Sequence, residues 1–195
     1  SGIRTLTFGN GVETIGDYAS YGLTEIETLL FPESLLYIGD FAFRNANGLT
    51  SVVLYGTVEY VGSHAFYGNK ALTVYIASGE EISENWSTRW NSSFRPVVWN
   101  CTLSVDQSYV VSVTVGEGTV ENPFALGGIS APVREGYTFV GWSLTPGGTT
   151  VAYSARALAT APAGTTVYSI WERTPETPET PETPETPEDP SAGAG

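Results

Sequence analysis

The sequence predicts a mainly β chain in three parts: a repeat-built solenoid, a small β-rich module and a proline-rich tail. Three observations carry this. Apolar, glycine and alanine positions recur every 23 residues over residues 1–76. Alternating β-branched runs without that period follow Ser108. Thr-Pro-Glu is then repeated five times from Thr174 to Glu188.

The solenoid is predicted by columns in one register. Gly16, Gly39 and Gly62 are one column, and Ala19, Ala42 and Ala65 another. Ile15, Ile38 and Val61 keep the same step, and Ile3, Ile26, Leu49 and Leu72 hold it across four units. One unit cannot bury its apolar residues alone, but stacked neighbours can. Each unit reads as a short strand, such as Leu49–Leu54, a turn, a second apolar segment and a Gly-x-x-Ala-Phe corner. Alternation sends Val52 and Leu54 inward and Ser51, Val53 and Tyr55 outward. The recurring glycine marks either a positive φ or a close backbone approach. Phe43 and Phe66 share a corner of adjacent units and are expected in the core.

Leu35-Leu-Tyr-Ile-Gly-Asp-Phe-Ala-Phe43 followed by Gly48-Leu-Thr-Ser-Val52 resembles the BspA-like leucine-rich repeat. The resemblance covers about residues 1–76. It implies a right-handed leucine-rich-repeat solenoid acting in protein binding. Ser20 stands where the corner Phe is expected, and Pro32 appears in the second unit alone. Residues 77–100 lose the repeat and carry Trp86, Trp90 and Trp99. These indoles are expected to cap the last coil; an exposed glycan platform is the alternative. The chain opens inside a unit, which gives the expectation of a fragment from a longer multidomain protein.

The module after the solenoid reads as strands at Tyr109–Val115, Pro132–Trp142 and Gly164–Trp171, with a turn at Pro146–Gly148. Gly141 is placed for a bulge or a close approach. The run Pro132-Val-Arg-Glu-Gly-Tyr-Thr-Phe-Val-Gly-Trp142, with the closing strand, resembles the Listeria–Bacteroides repeat, also called the internalin B-repeat. That resemblance implies a β-grasp-like spacer or self-association module. The expected domains are thus 1–100, 101–173 and a stalk at 174–195. Proline at every third position prevents helix and sheet ladders, so fifteen stalk residues would span roughly 45 Å as polyproline II.

Composition narrows the function. There are 21 acidic and 8 basic residues, and six of the acids lie after Arg173 with no base, so the body also stays negative. No basic stripe exists to meet phosphates, which argues against nucleic acid and against anionic lipid. No apolar run reaches the ~20 residues that span a bilayer, so membrane insertion is not expected, nor is a signal peptide at the start. One cysteine, Cys101, and one histidine, His64, exclude an intrachain disulfide and leave little for a catalytic triad or zinc site. His64 sits where neighbouring units have Tyr18 and Phe41, a structural position. Glu80, Glu81 and Glu84 lack the pattern of a calcium loop.

The expectation is therefore no enzyme, no cofactor and no metal. The families resembled imply a bacterial cell-surface or secreted adhesion protein. Its partner would be a protein on host matrix or a neighbouring cell, with self-association open. The alternative is a non-catalytic accessory region, carbohydrate-binding, of a secreted hydrolase. The expected binding strip is the outward column Thr7, Leu30, Val53 and Ile76, with Tyr55 beside it as anchor.

Overall fold

The computed structural model describes residues 2–77, 82–116 and 128–175. The Thr-Pro-Glu stalk lies largely outside the described residues, as do Glu80 and Glu81. In chain order the strands are β1 (Thr5–Thr7), β2 (Thr14–Ile15), β3 (Thr28–Leu30), β4 (Tyr37–Ile38), β5 (Ser51–Tyr55) and β6 (Tyr60–Val61). They continue as β7 (Thr73–Ala77), β8 (Val97–Val98), β9 (Cys101–Leu103), β10 (Val110–Thr114), β11 (Tyr137–Ser143) and β12 (Thr166–Arg173). One 3-10 turn, Arg156–Thr160, lies between β11 and β12, and no α-helix occurs among the described residues.

The repeat becomes a β solenoid. β1 pairs with β3 in parallel, Thr5 opposite Thr28, and β5 lies beside β3. β2, β4 and β6 form a second parallel sheet with Ile15, Ile38 and Val61 in line. The apolar columns fill the space between these sheets: Ile26, Leu35, Ile38, Leu49, Leu54 and Leu72 are without solvent exposure. Phe43 stacks on Phe66 at 5.5 Å between ring centroids, so the predicted corner is a stack inside the core.

The glycine column exists for close approach. A Cβ on Gly62 would lie 2.5 Å from the amide nitrogen of Asp40 and 2.5 Å from the carbonyl carbon of Gly39. The left-handed residues come two positions later, at Tyr18 (φ 57°), Phe41 (φ 57°) and His64 (φ 58°). Asp17 and Asp40 reinforce the corner, each accepting a hydrogen bond from the backbone N–H 23 residues on, at Asp40 and Ser63.

Residues 82–100 depart from the sequence expectation. The repeat pattern is lost there, yet the backbone adds another coil: Ser87 N–H donates to the Val61 carbonyl and β8 pairs in parallel with β7. Trp86 and Trp90 meet edge to face at 5.1 Å inside the solenoid core, and the Trp86 indole donates to the Val58 carbonyl. Bulky indoles thus replace the small and branched residues of the regular coils.

Strand pairing changes between Val98 and Cys101, where Asn100 adopts a left-handed φ of 57° that asparagine tolerates. From there a four-stranded antiparallel sheet runs in the order β11, β12, β10, β9. The pairing of β11 with β12 slips at Gly141, the bulge position, where a Cβ would lie 2.7 Å from Val151 Cγ1. Trp142, Leu158, Val113 and Val167 make the second core. Tyr75 and Val98, which point out of the solenoid, belong to that second core as well.

Candidate functional site

The outward strip is present, but its last member is different. Val53 pairs with Tyr75 and Leu54 with Ile76, so this rung is offset by 22 residues where β1 and β3 are offset by 23. Leu49-Thr-Ser-Val52 shortens to Leu72-Thr-Val74, with one residue missing just after the core leucine. A one-residue slip moves every following side chain to the opposite face. Ile76 is therefore in the solenoid core at 2% exposure, and Tyr75 takes its place on the strip.

The module that follows Asn100 covers the C-terminal end of this strip. Tyr75 is wholly buried, its hydroxyl donates to the Ser130 carbonyl, and burial holds its ionisation well above the ordinary range. Ser130 answers with two bonds to the solenoid, N–H to Thr73 Oγ1 at 2.7 Å and Oγ to the Ala71 carbonyl at 2.7 Å. Val53 is half-buried against the second core. Tyr55 is 6% exposed and donates to the Gln107 carbonyl. Its phenol is pushed up to about 12, first by burial and then by the carboxylates of Glu33 and Asp106.

The N-terminal end of the strip stays open. Between the first coils and the loop joining β9 to β10 lies a cleft of about 450 Å³. Leu30, Tyr55 and Thr7 line the solenoid side with Glu33, and Val105 and Asp106 line the loop side. Thr57 Oγ1, in the next coil, donates to the Glu33 carbonyl at 2.8 Å and fixes the turn that carries it. Asp106 accepts from Ser104 Oγ, from Ser108 Oγ at 2.8 Å and from Ser108 N–H at 3.1 Å. The two serine hydroxyls, with the Ser108 amide, hold its carboxyl down at about 2. Of the four expected binding residues, Leu30 and Tyr55 meet at this cleft; Val53 packs against the core of the antiparallel module and Ile76 is inside the solenoid.

The column of Tyr18, Phe41 and His64, read in the sequence as a structural position, is a partly exposed ring stack. Tyr18 stacks on Phe41 at 5.0 Å and Phe41 on His64 at 5.2 Å. Alongside, the Arg44 guanidinium lies 5.7 Å from the Tyr21 ring and 5.1 Å from the Tyr67 ring. Both ladders repeat every 23 residues, and that spacing was the available signal. His64 is a rung here, its Nδ1 bonded to Ser63 Oγ at 2.6 Å.

The other candidate residues are interior. Trp86, Trp90 and Trp99 are buried, so they offer no platform to a glycan. Cys101 is buried too, and desolvation pushes its thiol up. No group of three or more His, Cys, Asp or Glu residues suited to a metal occurs among the described residues. Nor, among them, is any helix long and apolar enough to cross a membrane.

The stacked coils and the antiparallel sheet thus enclose a cleft with one wall from each. Residues 1–89 match the model of the BspA type leucine rich repeat region, in six copies. Repeats of this type are typical of bacterial surface proteins that act in protein–protein interaction, and leucine-rich repeats are generally non-catalytic. No curated protein matches the chain. No solved structure matches it either.

Proposed function

We propose that this chain is part of a bacterial cell-surface or secreted adhesion protein, and that it binds a protein on host matrix or on a neighbouring cell. The observation that carries this reading is the open cleft at the end of the apolar strip, on a scaffold of BspA type repeats. In this reading Leu30 forms the apolar floor and Tyr55 the rigid wall. Tyrosine is one of the residues enriched among the few that carry most of the energy of protein interfaces. Residues 101–173 act as an internalin B-type module that shapes the cleft, and the Thr-Pro-Glu tract holds both modules away from the surface.

The test is binding of the full chain to an array of matrix proteins and to whole cells. Leu30→Gln removes the apolar floor without adding charge. It should leave the melting temperature within a few degrees and weaken binding at least tenfold. Binding unchanged in a folded Leu30→Gln protein would place the site elsewhere.

A further inference from the structure

The cleft carries more information than its apolar floor. Among the described residues its lining holds two carboxylates, Glu33 and Asp106, from different modules, and no Lys or Arg. Both line the same cleft as Tyr55, and the charge of each raises the ionisation of that phenol. Asp106 is held by three local hydrogen bonds and remains an anion throughout the physiological range. The Glu33 side chain is exposed on a turn that Thr57 fixes. Near them Leu30 is half-buried, and Val105 is fully exposed on the opposing loop. The volume of about 450 Å³ falls in the range of ordinary ligand clefts, ~300–1,000 Å³.

We propose that this cleft takes an arginine side chain from an extended segment of the protein partner, its stem on Leu30 and Val105 and its guanidinium between Glu33 and Asp106. This rests on the reading of the cleft as the partner site. A long cationic side chain buries its methylenes on apolar surface while its head stays with charge and water. The planar guanidinium pairs bidentately with carboxylates, and its weak hydration lowers the cost of entering a half-enclosed site. Both opposing walls here are negative, so a neutral or acidic segment would leave them unmet. A net-negative chain also steers a basic segment toward it from a distance.

The probe is the blocked tripeptide acetyl-Gly-Arg-Gly-amide, titrated into the isotope-labelled full chain and followed by amide chemical shifts. The isosteric citrulline tripeptide, which lacks the charge, is the control. Saturable shifts are expected at Leu30, Glu33, Gln107 and Ser108 with the arginine peptide alone. They should weaken at least fivefold in Glu33→Gln and when sodium chloride is raised from ~50 to ~500 mM, given screening. Asp106→Asn should act the same way; because Asp106 also organises its loop, Glu33→Gln is the deciding variant. Equal shifts with citrulline, shifts confined to other surfaces, or no saturable shift would overturn the proposal. The two readings separate cleanly. If cell or matrix binding is lost in Leu30→Gln but intact in Glu33→Gln, the cleft is the partner site and arginine is not its ligand.

Discussion

Phe43 stands inside the solenoid, face to face with Phe66 and edge-on to Phe31 at 5.5 Å, without solvent exposure. Truncating it removes a large apolar surface and leaves a hole bounded by rings from coils on either side. Phe43→Ala should lower stability by ~3–5 kcal/mol, read from the urea midpoint. A loss under ~1 kcal/mol would mean that neighbouring coils collapse onto the gap. This position was legible in sequence, because spacing alone put Phe43 and Phe66 on one corner. Ile76 was not. Its identity is apolar on either face of a strand, so only the register distinguishes core from surface, and the residue dropped after Leu72 shifted that register. Tyr55 is buried in the solenoid's apolar cluster and donates its hydroxyl to the Gln107 carbonyl, a contact that no local pattern encodes.

The coil, as an element, is defined by how closely successive backbones approach at the corner. Gly16 and Gly62 occupy the same column but face different surroundings. An added Cβ at Gly62 meets the Gly39–Asp40 backbone at 2.5 Å, whereas one at Gly16 meets nothing within 4 Å. Backbone cannot yield as a side-chain tip can. Gly62→Ala should therefore cost ~1–3 kcal/mol through overpacking, and Gly16→Ala should be close to neutral. Thermal denaturation of the two variants checks this, and equal effects would refute close approach as the reason for the column. The sequence left two roles open for these glycines, since a positive φ and a tight contact select the same residue. The left-handed positions went to Tyr18, Phe41 and His64, whose stacked rings hold a conformation that side chains seldom adopt. A sequence pattern shows the period of such a ladder but not the backbone conformation beneath it. The extra coil through Trp86 and Trp90 was illegible for a related reason: its backbone pairing repeats while its residue types do not.

At the scale of the whole molecule, the solenoid and the antiparallel sheet share a core. Tyr75 and Val98 leave the solenoid and pack with Cys101, Val110 and Trp142 of the second module. Tyr75 and Ser130 stitch the joint further by their hydrogen bonds. The cleft exists because of this joint, since one wall belongs to each module. Repeat arrays ordinarily unfold in units coupled only to their neighbours. Here the outward face of β7 couples the last regular coil to β9, β10 and β12 through side chains rather than strand pairing. Amide hydrogen exchange should accordingly show the central amides of β7 and β12 opening with the same free energy in the native protein. Tyr75→Ala removes the shared ring and its bond to Ser130 while leaving the inward residues Val74 and Ile76 in place. The expected result is that β10 and β12 exchange faster than β5 and β7 in that variant, so that the common opening splits into two. If β12 already opens separately in the native protein, or if Tyr75→Ala lowers both sets equally, the joint is not what couples the modules. The cleft would then be a contact between independent bodies, and partner binding would have to close it before using it.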